Sequence, residues 1–209
     1  MARGTERLEG FRERYLAGDV PWDHEDPPPE VLEFVAAPFP ADVAGSPPGR
    51  ALDLGCGFGR ASLLMGRAGW HVDGVDFVAE AVAEATRRAE AEGLRDVHFH
   101  HGSVTDLAFL EPPYDVALDV GTMHSLTDDG LAAYRDELLR LLRRGARYLL
   151  FAHLQDGYEE NEGGRRWLPR EMLENLFADG FRLDRREHGT TQVGDKPPWP
   201  SAWSWYTRV

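Results

Sequence analysis

Cysteine is nearly absent from this 209-residue chain, with Cys56 the only one. An internal disulfide is therefore excluded, and a reducing compartment is expected. Lysine is equally scarce, since Lys196 is the only one and every other fixed positive side chain is arginine. Positive charge is in short supply overall: 23 Lys and Arg against 36 Asp and Glu leave a formal charge of −13. Phosphate binding needs a basic face, so nucleic acid is not an expected partner. No apolar run approaches membrane-spanning length, and the N-terminus lacks the apolar core of a signal peptide. These absences together point to a cytoplasmic protein with no membrane partner. No repeat or low-complexity segment is present. A chain of this length is expected to form one domain and to bury about 70% of its unfolded surface.

Glycine is concentrated where it has a use. The stretch Ala51-Leu-Asp-Leu-Gly-Cys-Gly-Phe-Gly59 begins as an apolar strand and then places glycine at 55, 57 and 59. Residues 60–68 follow with helical spacing. A strand that turns sharply into a helix and lets a ligand approach its backbone needs residues without Cβ. The helix N-terminus beyond it, with free N–H groups and a dipole, favours an anionic group. Dinucleotide sites use G-x-G-x-x-G/A. That frame, started at Gly55, puts Arg60 where a small residue should let helix and strand pack closely. A nicotinamide oxidoreductase is disfavoured for that reason.

Along the chain, residues 5–18 have helical composition, with Leu8, Phe11, Tyr15 and Leu16 on one stripe. A proline-rich turn follows, with Pro28 or Pro29 placed to open a helix over 30–37. Residues 39–50 read as a linker. Further strands are expected at 70–76, 96–101, 114–120, 146–153, 181–188 and 202–209. Helices are expected at 78–92, capped by Gly93, from Ser125 or Thr127 to Arg144, closed by Gly145, and at 168–178. Residues 155–166 are polar and short enough for an active-site lid, and 189–200 read as a loop. Strands alternating with helices give an α/β fold: a Rossmann-like, doubly wound sheet with helices on both faces. Residues 1–49 form an N-terminal helical arm, and 50–209 the main domain.

Asp53-x-Gly55-x-Gly57-x-Gly59 resembles the first motif of class I S-adenosylmethionine (SAM) methyltransferases. Pro21-Trp22-Asp23 followed by Pro-x-Val-Leu is similar to the N-terminal arm of the thiopurine, thiol/halide and tellurite-resistance group. Asp115 to Leu126 resembles the fourth motif of small-molecule methyltransferases. The resemblance covers roughly residues 20–209. It implies a seven-stranded sheet whose last strand runs antiparallel, an arm that folds over the cofactor, SAM as cofactor and S-adenosylhomocysteine as product.

The residues expected at the cofactor are Trp22, Asp53, Gly55, Cys56, Gly57, Gly59, Asp76, Phe77, Ser103, Val104, Asp119 and Val120. Asp76 lies 21 positions after Gly55, about the spacing of a ribose-binding acid. It could also cap the following helix. Phe77 could pack on the adenine. Asp53, acidic at the end of a buried strand, needs a partner, which the SAM ammonium would provide. The family's acidic residue after the third strand is replaced here by Ser103, with Asp106 three positions on. Asp119 and His124 are expected to be catalytic, and Met123, His124, His153 and Trp199 to face the acceptor. His101, His124, His153 and His188 lie near strand ends, but they come from different strands with no cysteine ligand, and no metal is expected. The function expected is methyl transfer from SAM to a small-molecule nucleophile through S, O or N, with a soft nucleophile favoured, by a monomer or weak homodimer. A non-catalytic SAM-binding sensor is the alternative.

Overall fold

The computed structural model describes residues 2–23, 26–37, 49–155, 167–192 and 197–209, with side chains from Glu9 onward. Most of the expected 39–50 linker, all but the first residue of the 155–166 lid, and part of the 189–200 loop lie outside the described residues. Seven strands form a mixed sheet, in the spatial order Val97–His101, His71–Asp76, Arg50–Leu54, Tyr114–Val120, Leu142–Ala152, Trp199–Arg208, Phe181–Thr191. The chain divides into two compact units, Met1–Val104 and Thr105–Val209.

The first unit holds α1 (Ala2–Ala17), α2 (Pro29–Ala36), β1 (Arg50–Leu54), α3 (Arg60–Arg67), β2 (His71–Asp76), α4 (Ala79–Glu92) and β3 (Val97–His101). The elements fall within a few residues of their expected places. Pro28 is the N-cap of α2 and Pro29 its first helical residue, where a missing N–H costs nothing. Gly93 ends α4 at φ +69°. β1 and β3 both run parallel to β2. Their inward residues Leu52, Leu54, Val72 and Val75 are at most 1% exposed, which accounts for the continuous apolar reading of these strands.

The second unit holds β4 (Tyr114–Val120), α5 (Asp128–Leu141), β5 (Leu142–Ala152), β6 (Leu154–Gln155), β7 (Leu168–Pro169), α6 (Arg170–Phe177), β8 (Phe181–Thr191) and β9 (Trp199–Arg208). β5 is parallel to β4, while β9 is antiparallel to both β5 and β8, so the expected antiparallel last strand is found. Thr127 caps α5 by accepting the Gly130 N–H.

Three boundaries differ from expectation. α5 stops at Leu141 instead of reaching Arg144, because Leu142 turns extended and pairs with Tyr114. The ladder resumes only at Val116 with Arg147, so residues 143–146 bulge, with Gly145 at φ +82° inside the bulge and not at a helix end. Leu168 and Pro169 form a short strand beside Leu154 and Gln155 instead of opening α6. β8 and β9 extend to Thr191 and Trp199, so Trp199 is a strand residue paired with Thr191, not a loop residue.

Gly59 shows how tightly α3 seats. It starts the helix at φ +83°, and a Cβ there would lie 2.7 Å from Phe99 and 3.2 Å from the Ala85 methyl. Gly59→Ala should therefore cost about 2–4 kcal/mol, from left-handed strain plus overpacking. Urea unfolding measures this. A loss below about 0.5 kcal/mol would show that Phe99 yields and that the position tolerates a side chain.

Candidate functional site

In the first unit, the chemistry gathers where β1 and β2 end. Gly55, Gly57 and Gly59 all take positive φ, at +72°, +54° and +83°. Four amides of the glycine loop are hydrogen-bonded within the protein. Gly55 and Cys56 donate to the Val75 carbonyl, Gly59 donates to that of Cys56, and Gly57 donates to Asp76 Oδ2 at 2.9 Å. The loop is closed by its own N–H groups, and what the glycines leave open is the space above the backbone.

Asp53, 3% exposed, does not wait for a ligand to find a partner. It accepts the Ser62 hydroxyl at 2.6 Å and the Ser62 backbone N–H as well. Ser62 is the third residue of α3, so the strand-end acid caps the next helix. Burial still dominates its charge state and pushes its pKa up to about 6, against the Ser62 hydrogen bonds that pull it down. Asp76, 4% exposed, uses one oxygen for Gly57 N–H and the other for Val78 N–H at 2.9 Å. It thereby pins the glycine loop to the start of α4. Val78 occupies the N-cap position of that helix without a side-chain cap bond. The Phe77 N–H is a third donor, and the carboxylate as a whole retains some acceptor capacity. Burial raises the Asp76 pKa, and the backbone donors oppose that shift.

Cys56 is buried, and its thiol pKa is pushed well up by burial and by the nearby Asp53 and Asp76. It stays a thiol, and the S–H donates to the Gly57 carbonyl within the loop at 3.8 Å. Ser103 is exposed and Val104 buried at the end of this unit. Phe77 is half-buried, and its carbonyl lies 3.2 Å from His101 Nε2.

The N-terminal segment lies on this loop. Trp22 Nε1–H donates to the Tyr15 hydroxyl at 3.2 Å, and the Tyr15 ring meets Phe58 at 5.0 Å. A Cβ on Gly57 would be 2.9 Å from that hydroxyl. Phe11 packs edge-on to Phe77 at 5.7 Å. Arg88 pairs with Asp23 at 3.1 Å and covers the Phe58 ring at 4.8 Å. Burial first, then the Asp76 charge, raise the Tyr15 pKa, so the phenol stays protonated. Tyr15 and Ser62 are the site residues that sequence reasoning missed. Tyr15 stood on the apolar stripe of its helix, but nothing local showed that the stripe would meet a glycine loop more than 40 residues on. Ser62 carries no signal beyond its place in the first turn after the glycines.

In the second unit, Asp119 ends β4 with 0% exposure. It accepts Thr122 N–H at 2.7 Å, Met123 N–H at 3.0 Å and the Tyr134 hydroxyl at 2.7 Å. Because the Tyr134 proton is committed to Asp119, the Tyr148 hydroxyl donates to Tyr134 across 2.8 Å. Asp119, expected as a catalytic and cofactor residue, is thus a buried anchor for the turn that carries His124. Met123, expected to border the acceptor, is a core side chain with 0% exposure. Val120 is half-buried and pairs with Phe151. His124 and His153 do meet, with ring centroids 4.4 Å apart, and Trp199 stands edge-on to His153 at 5.2 Å. His188 is exposed on β8. No group of three or more potential metal ligands occurs among the described residues.

A glycine loop after the first strand, an acid ending each of the first two strands and a sheet with one antiparallel strand define the class I methyltransferase fold. Residues 51–145 match a family model described as a methyltransferase domain. Residues 51–145 therefore resemble a methyltransferase domain, and the chain has the class I methyltransferase fold. The 1,6-didemethyltoxoflavin-N1-methyltransferase of Burkholderia thailandensis, solved with 1,6-didemethyltoxoflavin and S-adenosylhomocysteine, superposes at TM-score 0.74 and 22% identity, over 100% of this chain and 89% of that one. TehB from Haemophilus influenzae superposes at TM-score 0.71 and 16% identity, over 95% of this chain and 67% of that one. The 23S rRNA (uracil(1939)-C(5))-methyltransferase RlmD of Shewanella sp. (strain W3-18-1) is 41% identical over 70 residues, 34% of this chain. That match spans only 16% of the relative's length. No helix among the described residues is long and apolar enough to cross a membrane.

The Asp53 pKa carries a stability signature. Its folded value of about 6 lies above the ordinary 3.8, so between these values the folded state holds a proton that the unfolded chain has lost. Stability from this group therefore falls as pH rises from about 4 to about 6. Asp53→Asn, which cannot ionise, should gain on the parent by on the order of 2–3 kcal/mol between pH 4 and pH 7. Urea unfolding across that range gives the difference directly. A difference that does not change with pH would show that Asp53 does not titrate there.

Proposed function

We propose that the protein transfers a methyl group from SAM to a small-molecule nucleophile through S, O or N. The observation that carries this reading is the pair of buried acids flanking the glycine loop, Asp53 at a pKa of about 6 and Asp76 bonded to Gly57 N–H. A cation beside Asp53 would relieve the cost of its charge, and the SAM ammonium is such a group. Asp76, with spare lone pairs beside the loop, suits a ribose diol. Gly55, Gly57 and Gly59 let the ligand approach the backbone, with Phe77, Ser103 and Val104 toward the adenine. Trp22 and Tyr15 cover the loop and exclude water. SAM supplies a methyl group on a sulfonium that is already a good leaving group. The protein's part is to align the reacting atoms and keep water out.

Asp119 acts through the turn it anchors, as a positioning residue for His124. His124 and His153 provide proton acceptors, and Trp199 an apolar wall. Such groups serve an acceptor, which favours turnover over sensing. A small acceptor also fits the −13 charge, which offers no basic face for RNA phosphates. The structural neighbour named as a 1,6-didemethyltoxoflavin-N1-methyltransferase holds 1,6-didemethyltoxoflavin, in keeping with this reading.

Calorimetric titration with SAM tests the cofactor half. Asp76→Ala should weaken SAM binding by about 1.5–3 kcal/mol through loss of a charged acceptor. Gly57→Val should abolish binding and lower stability through left-handed strain at φ +54°, while its Cβ meets only the tip of Tyr15, a movable side chain, so the fold should survive. Unchanged affinity in Asp76→Ala removes Asp76 from the site, and normal binding by Gly57→Val makes the loop purely structural.

A further inference from the structure

We infer that the acceptor is a planar aromatic ring bearing an acidic O–H or N–H, held at the ends of β5 and β9 and deprotonated by the His124–His153 pair. The inference rests on the methyltransferase reading above and commits it to one acceptor class.

The argument begins with register. Phe151 pairs with Trp203 across β5 and β9, and Trp199 lies two alternations further along β9 on the same face. Phe151 and Trp203 meet at 4.9 Å between centroids. His153 follows Phe151 by two residues, so it points to that same face, and its ring lies 5.7 Å from Phe151 at 75°. Trp199 closes on His153 from β9 at 87°. His124 arrives from the turn after β4 and stacks obliquely on His153, 59° between planes. All five rings are only half-buried, so none is sealed into the core. Gly121 keeps the middle open: a Cβ there would sit 3.5 Å from His124 and 3.8 Å from Phe151.

The result is a patch of edges and faces at or close to the separations aromatic rings favour, about 4.5–7 Å. A flat ring entering it gains edge-to-face contacts beyond simple burial. A flexible aliphatic thiol or a halide gains little from such walls. The two imidazoles also have little to offer a thiolate or halide, which needs no base. They are useful to an acceptor that must lose a proton as it is methylated. As the acceptor's oxygen or nitrogen takes the methyl group, the C–S bond pair leaves with sulfur, and the acceptor's proton passes to an imidazole nitrogen and then to water.

4-Nitrophenol is a direct probe, because it is planar, carries an acidic O–H and colours on ionisation. It is titrated into the intact chain with and without S-adenosylhomocysteine, alongside 2-mercaptoethanol. Saturation-transfer NMR reports binding, and visible absorbance reports the phenolate fraction. The expected result is that 4-nitrophenol binds and is more ionised when bound than when free at the same pH, while 2-mercaptoethanol does not bind. Trp199→Ala should weaken its Kd about tenfold and Trp199→Phe should retain it, the second variant guarding against a folding defect. Replacing both His124 and His153 by Gln should leave the bound probe no more ionised than the free one at the same pH. Absent or aliphatic-preferring binding overturns the ring assignment, and a bound probe no more ionised than the free one overturns the base assignment. S-adenosylhomocysteine binding, measured in the same titrations, keeps these failures distinct: its absence sinks the methyltransferase reading itself.

Discussion

Asp53 is the constraint on which the cofactor half of the structure depends. A carboxylate at the end of a buried strand is costly unless it is paired and hydrogen-bonded. Here the pairing comes from Ser62, through hydroxyl and backbone N–H, so the acid fixes where α3 begins. The chain between them must turn within a few residues, and that turn is the glycine loop. Gly59 must then pass close to Phe99 and Ala85, which only a residue without a side chain can do. The acid is satisfied geometrically, but its pKa stays near 6, so it remains receptive to a positive charge.

The same device recurs. Asp76 ends β2 and accepts N–H groups from Gly57 and Val78, and Asp119 ends β4 and accepts those of Thr122 and Met123. In each case an aspartate stands at the end of a parallel strand or one residue before it, and organises the backbone that follows. Parallel sheets collect their ligands at these strand ends, where loops leave the sheet. An acid there holds the loop in shape and places negative charge near whatever binds. Asp119 has moved furthest toward the structural role, because Tyr134 adds a third donor and Tyr148 extends the chain of hydroxyls into the core. That network suits a residue that aims His124 without touching the reaction.

What could be read in the sequence was local. Glycines at fixed spacing, apolar runs ending in aspartate, Pro29 at a helix start and Gly93 at a helix end each act through their immediate neighbours. The methyltransferase fold followed from their order. What could not be read depended on distant partners. The helical composition of residues 142–145 gave way to pairing with Tyr114. Trp199 became a strand residue through Thr191. The hydroxyl that Asp119 accepts comes from Tyr134, 15 residues away on another element. Met123, expected at the acceptor with His124, is sent inward by the short helical turn, which leaves His124 half-buried. The cover that Tyr15 places over Gly57 depends on docking of the first helix, which its own stripe does not specify.

The proposed pairing of Asp53 with the cofactor's ammonium has a consequence in protons. At pH 6 about half of Asp53 is protonated in the free protein, given a pKa of about 6. A cation held against it would lower that pKa, so binding must release a proton. Calorimetric titration of S-adenosylhomocysteine at pH 6, in two buffers of different ionisation enthalpy, counts the protons released. The account predicts release of a sizeable fraction of one proton, lost in Asp53→Asn. Binding with no proton release, or release that persists in Asp53→Asn, would contradict it.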